Sequence, residues 1–286
     1  MRRFAYLALA AASCLASPAL AQSTPASAEL PNPEELSGRD MVTVALGAGL
    51  TPDYEGSDDY RLIPAAAIRG QVSGISFSTQ GTYLYVDVIP KSSSSFDLIL
   101  GPVVGARLNR TRRVKDDVVD LLPDRNTAIE AGGYAGASFS GLTNPYDSLA
   151  LTVTAVHDVA NAHESTVIMP KLSFSTPLSR KTYASASLGT TFVSDKFADY
   201  YFSVSPAESA LTAGVLPVFD ADGGMKDWNI GLLVNQSITG DLLGGFSIFG
   251  TANYSRLVGD FRDSPLVSQR GSASQWLVAA GVAYTF

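Results

Sequence analysis

Met41-Val42-Thr43-Val44-Ala45-Leu46-Gly47-Ala48-Gly49-Leu50 is the stretch that decides how this chain is read. Val42, Val44, Leu46, Ala48 and Leu50 fall on one parity, and Thr43, Ala45, Gly47 and Gly49 on the other. A period of two is the signature of a β-strand, here with one apolar face and one small or polar face. The pattern recurs to the last residue. Leu62, Pro64, Ala66 and Ile68 oppose Arg61 and Arg69; Leu84, Val86 and Val88 oppose Tyr83, Tyr85 and Asp87; Leu149, Leu151 and Val153 oppose Thr152, Thr154 and Asp158. Near the end, Trp276, Val278, Val282, Tyr284 and Phe286 oppose Gln275, Gly281 and Thr285.

A soluble sandwich also alternates, so length has to separate the two. Several segments run about 10 to 14 residues, near the ~9 to 11 of a tilted membrane strand and beyond the ~5 to 6 usual in soluble sheets. Aromatic residues stand near segment ends (Tyr60, Trp228, Tyr254, Trp276, Tyr284, Phe286), where interfacial girdles belong. The expected strands are 41–50, 60–69, 74–80, 82–89, 96–109, 127–140, 147–158, 165–176, 181–193, 225–237, 244–256 and 274–286. The fold class is therefore all-β: an antiparallel transmembrane meander barrel of about 12 strands (range 10 to 14) over residues 41–286. With the N-terminus in the periplasm, connectors 110–126, 194–224 and 257–273 fall outside, and the short ones 90–95, 177–180 and 238–243 fall inside. The pair 74–80 and 82–89 also reads as one strand bent at Gly81, which would break this scheme.

Ahead of the barrel, Met1-Arg2-Arg3 leads into an apolar run from Phe4 to Leu20 and an Ala19-Leu20-Ala21 end. That reads as a secretory signal peptide over 1–21, cleaved between Ala21 and Gln22. Residues 22–40 hold Pro25, Pro31, Pro33 and three glutamates without periodicity, and read as a flexible periplasmic lead-in. Loss of Arg2 and Arg3 takes the formal charge from −7 to −9, and Cys14 leaves with the peptide, so thiol chemistry is excluded from the mature chain. An acidic chain without a Lys/Arg cluster argues against nucleic acid as a partner. No cofactor is expected.

Small-face charges form a candidate lumen network: Arg61, Arg69, Arg107 and Lys171 against Asp87, Asp97, Glu130 and Asp158. In a narrow barrel these would meet across the interior and plug it, or line a water path. Tyr54, Glu55 and Asp58 in the first loop, with Tyr200, Tyr201 and Phe202 in segment 194–224, are candidate interaction residues. The latter segment is too aromatic for a solvated loop and is expected to pack on its own barrel. Gly56 is expected to take a special backbone angle. His157 is expected on the lipid side near the rim, and His163 in the connector after it; a rim role is favoured over a catalytic one, and Ser165 is the nearest serine a base would need. Val282, Tyr284 and Phe286 resemble the terminal signal read by the barrel-assembly machinery.

Several motifs resemble the MipA/OmpV family. They are Tyr54-Glu55-Gly56-Ser57-Asp58 with Tyr60-Arg61, Gly101-Pro102 with Gly105 and Arg107, Gly132-Gly133-Tyr134, Gly224 with Lys226-Asp227, Tyr254-Ser255-Arg256-Leu257 with Gly259-Asp260, Asp263-Ser264-Pro265, and Gln275-Trp276 before Phe286. The resemblance implies a Gram-negative outer-membrane barrel, in a family named after a member that scaffolds murein hydrolase and synthase, and so a scaffold or interaction role linked to the murein machinery or to cell-envelope stress. It supplies no catalytic residues to carry over. A small channel, a surface adhesin or antigen, and, more distantly, a lipid-modifying barrel enzyme stay open as alternatives.

Overall fold

The computed structural model describes residues 39–91 and 94–286. The signal peptide expected over 1–21, the Ala21/Gln22 junction and most of the lead-in lie outside the described residues.

Twelve antiparallel strands close into one barrel. They are β1 (Met41–Pro52), β2 (Tyr60–Val72), β3 (Ile75–Gln80), β4 (Tyr83–Asp87), β5 (Phe96–Arg107), β6 (Ala128–Ser140), β7 (Ser148–Asp158), β8 (Thr166–Pro177), β9 (Thr182–Val193), β10 (Gly224–Ser237), β11 (Gly245–Leu257) and β12 (Ser274–Thr285). Every neighbour in sequence is a neighbour in space, and β12 returns to β1 with Thr43 opposite Thr285. Closure leaves no full-length edge to face lipid, where an unpaired backbone group costs several kcal/mol. Gly81, at φ +59°, makes a hairpin turn between β3 and β4 rather than a bend in one strand. Among the described residues no helix is long and apolar enough to cross a membrane.

The alternating apolar residues point outward. Leu46, Leu62, Leu98, Leu151, Leu188, Leu232 and Val282 are all exposed, as a lipid-facing band requires. An aromatic girdle marks one margin: Trp228 lies 5.5 Å from Tyr254, Tyr254 lies 4.9 Å from Trp276, and the Trp276 amide donates to the Tyr60 hydroxyl. Phe96 against Phe139, and Phe246 against Tyr284, which also meets Phe286, mark the other.

The interior face is lined by small residues, and its glycines set the cross-section. At the β1–β12 seam, a Cβ on Gly47 would stand 2.2 Å from the Ala280 carbonyl oxygen, and one on Gly281 2.2 Å from that of Leu46. Nearly opposite, at the β6–β7 seam, a Cβ on Gly132 would stand 2.0 Å from the Ala155 carbonyl oxygen. Only glycine allows the neighbouring backbone to come this close. Side chains of facing walls meet across the lumen. Lys171 of β8 donates from Nζ to Gln80 Oε1 of β3 at 2.8 Å, and the Arg69 guanidinium of β2 sits 5.3 Å from the ring centre of Tyr183 in β9. Long side chains thus tie facing walls together across the lumen.

The long connectors at the loop end are structured. Segment 194–223 holds helices α1 (Asp195–Phe202) and α2 (Pro206–Leu211); segment 258–273 holds α3 (Gly259–Asp263) and α4 (Pro265–Ser268); a 3-10 turn covers Val119–Leu121. In α2 the Ser205 hydroxyl accepts from the Glu208 amide while the Glu208 carboxylate returns to the Ser205 amide, with Pro206 at the first turn. In α1 the pairs Phe197/Tyr201 and Ala198/Phe202, each four residues apart, form one buried face. The buried apolar core gathers here, where Phe197, Tyr201, Phe202, Leu257, Phe261 and Val267 pack together.

Candidate functional site

The site is the cluster of charges beneath α1, just inside the loop end. Arg107, the last residue of β5, lies at its centre. Its Nε donates to Glu130 Oε1 at 2.8 Å, Nη1 to Glu55 Oε1 at 2.8 Å and Nη2 to the Tyr83 hydroxyl at 3.1 Å. Tyr83 in turn donates to Glu130 Oε2. Lys226 Nζ reaches Glu55 Oε2 at 2.8 Å and Asp227 Oδ2 at 3.2 Å. A register shift between Met225 and Asp227 explains how two consecutive side chains, Lys226 and Asp227, both point inward. The Phe197 ring covers both cations, with Arg107 at 5.0 Å and Lys226 at 5.8 Å from its centre. Burial pushes the Glu55 carboxyl up, but Lys226 and Arg107 outweigh it and hold Glu55 below the ordinary carboxylate range.

His163 completes the cluster and corrects the rim reading of this residue. Its side chain is fully buried, with Nε2 2.9 Å from Glu130 Oε1 and Nδ1 2.9 Å from Ser165 Oγ. The cause is Asp158, whose carboxylate accepts the backbone N–H groups of Ala160, Ala162, His163 and Glu164 and curls the connector inward. His157 does face outward, against Thr166 Oγ1. Ser165, His163 and Glu130 stand in the order of a nucleophile, base and acid. The acid's charge is already committed to Arg107 and Tyr83, however, and Ser165 is buried. The surface hollow beside His163, lined by Ala162, Glu164, Lys196, Asp199 and Tyr200, does not include Ser165.

Ties among the loops hold the lid down. Tyr54 is buried and donates its hydroxyl to the carbonyls of Leu266 and Arg270, both at 3.0 Å. Gln275 accepts from the Gly56 amide through Oε1 and donates to the Ser57 carbonyl through Nε2. Gly56, at φ +101°, has no room for a side chain: a Cβ would stand 2.4 Å from Val267 Cγ2. Arg270 pairs with Asp116 at 2.8 Å, and Arg125 with Glu208 at 2.8 Å while stacking over Tyr200. Arg110, at φ +54°, is also buried here, and its Nη1 and Nη2 meet no hydrogen-bond partner.

The candidate network therefore divides. Arg107 and Glu130 come together with Glu55. Arg61 pairs instead with Asp53 of the first loop, and Asp158 serves its own connector. Arg69 and Lys171 cross the lumen, but to Tyr183 and Gln80 rather than to carboxylates. Asp87 and Asp97 stand at the turn end, where Asp87 meets Lys91 at 3.4 Å and the Leu100 amide. Of the loop candidates, Tyr201 and Phe202 are buried in the protein's own lid, Tyr200 is half-buried against Arg125, and Asp58 is exposed. Val282, Tyr284 and Phe286 lie on the outward face at the turn end. Parity could not reveal Tyr83, His163, Ser165 or Asp53 as partners. The motifs could: Glu55, Arg107, Lys226, Asp227 and Gln275 all belong to stretches quoted above, and they converge in space.

Fold and site define a single-chain antiparallel barrel of the outer-membrane type whose loop end is filled by its own connectors. A family model described as "MltA-interacting protein MipA" matches residues 44–286, and the chain belongs to that family. Comparison with curated proteins gives no match. Among solved structures, the COG4313 outer membrane channel from Pseudomonas putida F1 is 12% identical over 93% of this chain and 100% of that one, with a TM-score of 0.47. The CymD monoaromatic hydrocarbon channel is 10% identical over 89% of this chain and 91% of that one, with a TM-score of 0.38.

Proposed function

We propose that this protein is a non-enzymatic anchor in a Gram-negative outer membrane, closed at the cell surface, whose periplasmic side is a platform for murein-processing enzymes. The observation that carries this reading is the buried cluster of Glu55, Arg107, Glu130, His163 and Lys226 under α1, which fills the mouth that a diffusion pore would keep open. Outer-membrane barrels carry short turns toward the periplasm. On this reading the turn end, and with it the lead-in 22–40, faces the side where the murein enzymes work. The family's description, "MltA-interacting protein MipA", names MltA as a partner, and this reading takes that partner to be a murein-processing enzyme. Export through the 1–21 signal, insertion by the barrel-assembly machinery and contact with outer-membrane lipid belong to the same reading.

The test pairs two measurements on the detergent-folded mature chain. Planar-bilayer recording is expected to show no steady conductance in a sample whose gel mobility shifts on boiling. Immobilised protein is expected to retain a purified murein transglycosylase, and to lose it when residues 22–40 are deleted or the turns at 141–147 and 238–244 are replaced by Gly-Ser. Steady conductance would favour the channel reading, to which the Ser-, Thr- and Gly-lined interior below the lid lends itself. Absence of retention would remove the platform.

A further inference from the structure

The wall has a breach beside β2. Strands β3 and β4 have only 6 and 5 residues, whereas the other ten have 11 to 14. β2 pairs with β3 only from Arg69 to Val72, so Tyr60–Ile68 has no strand on that side. The hairpin leans against β5, where Tyr83 pairs with Gly105. The gap therefore opens between its tip, Gln80–Thr82, and the loop-end part of β2. Above it runs a strap from the 108–127 connector: Arg61 Nη2 donates to the Arg113 carbonyl, and Lys115 Nζ to the Tyr60 carbonyl.

The edge is chemically suited to its position. Backbone N–H groups of alternate residues point the same way along a sheet. The Ile68 amide turns toward β3, donating to Thr79 Oγ1, so the corresponding positions of Leu62, Pro64 and Ala66 face the gap. Pro64 has no N–H to leave unpaired there. Leu62–Ile68 carries no polar side chain on either face. On β9, whose Tyr183 meets Arg69 of β2 across the lumen, the interior face is hydroxylic, with Ser185, Ser187 and Thr191. Beside the breach it is Ile63, Ala65 and Ala67, continued by Ala45 of β1 and by Leu277 and Ala279 of β12.

We propose that this breach is a lateral port through which small uncharged apolar molecules pass between the loop-end leaflet of the membrane and the barrel interior. The lid blocks the axial mouth to ions, while the side opening lies below the strap and the girdle residue Tyr60. The port is thus compatible with a barrel that does not conduct, and stands or falls apart from murein-enzyme binding.

The experiment compares Gram-negative cells expressing the chain, the same cells without it, and cells expressing a variant whose β3–β4 hairpin is lengthened by about four residues per strand, or ~13 Å. The readout is the entry rate of an uncharged naphthylamine-type fluorophore, with a charged dye as control and heat-modifiable mobility as the check on folding. The expected result is several-fold faster entry of the apolar dye alone, returning to the host rate in the lengthened variant. Should that variant not fold, Ala65→Asp, which puts a charge on the interior track without touching the lid, is expected to slow the dye similarly. Equal entry with and without the chain, or unchanged entry in the folded variants, overturns the port. A fall from dimer to monomer on lengthening the hairpin would overturn it too, by making the edge an interface between copies.

Discussion

The two ends of this barrel solve the same problem differently. At the loop end five ionised or ionisable groups lie within hydrogen-bond reach of one another under a sheet of aromatic rings. At the turn end the interior is nearly bare of ion pairs; Asp87 with Lys91 is one, and Asp87 spends its carboxylate mainly on backbone amides. Charges taken out of water are stable only when each is paired and hydrogen-bonded. The loop end meets that condition because loops converge there from five places in the sequence, whereas the turns at the other end, two to eight residues long, bring in little beyond Lys91. The lesson is that closure of this barrel is a property of its connectors, with the strands providing only the frame.

The largest expected effect removes the acid shared by three donors. Glu130→Ala leaves Arg107, Tyr83 and His163 without their common acceptor inside a buried site, and loss of one partner of a buried pair costs about 3–5 kcal/mol. The expected outcome is a marked drop in the temperature of the boiled-versus-unboiled mobility shift, with conductance appearing in bilayers. Asp87→Ala at the turn end is expected to lower that temperature much less, by the equivalent of about 1–2 kcal/mol, and to open nothing. Equal effects at the two ends would abolish the contrast.

Acid is expected to act on the loop end as well. Glu55 is held below its ordinary range by Lys226 and Arg107 once burial is outweighed. A carboxyl depressed on folding contributes stability above its unfolded pKa of about 4.3, lost as pH falls through the lower folded value. Bilayer recordings taken stepwise below pH 4 are expected to show the wild-type lid loosening, and Glu55→Gln to be already loosened at pH 7 with little further response. A lid indifferent to both would show that the aromatic packing alone holds it.

How far the sequence discloses this contrast depends on which property is asked for. Strand order is legible because alternation survives along the walls, but the 74–80/82–89 pair stays open in the sequence and only the antiparallel pairing around Gly81 resolves it into a hairpin. The connectors are not legible in the same way. Segment 194–223 has no long periodic run, so its helices, of 8 and 6 residues, owe their form to the barrel mouth they fill and to the Ser205–Glu208 cap. Parity says that Arg107 and Glu130 face inward, but only the register, with Arg107 opposite Ala128 and Gly105 opposite Glu130, brings them to one height. His163 reads as a rim residue because nothing in a connector's composition tells that Asp158 will gather four of its amides.

The smallest effect sharpens the comparison from the opposite direction, because one residue of the well-paired end breaks its own rule. Arg110 is buried with both terminal nitrogens unpartnered, and burial together with the nearby Arg125 lowers its pKa to about 10. It is therefore still charged at pH 7, without a counter-charge in hydrogen-bond contact with those nitrogens. Arg110→Met keeps most of the apolar stem and removes the charge; apolar replacement of even a paired set of buried charges ranges from neutral to stabilising by about 1–4 kcal/mol. We expect the low end, about 1 kcal/mol, read as a small rise in the temperature of the mobility shift. Linkage gives the sign of the pH dependence: a base whose pKa falls on folding destabilises the folded state while protonated, and the penalty fades as pH rises above the folded value. The advantage of the Met variant should accordingly narrow as pH passes 10. A variant that instead weakens the lid would mean that Arg110 has a counter-ion in the folded protein, and that the loop end pairs every charge it buries.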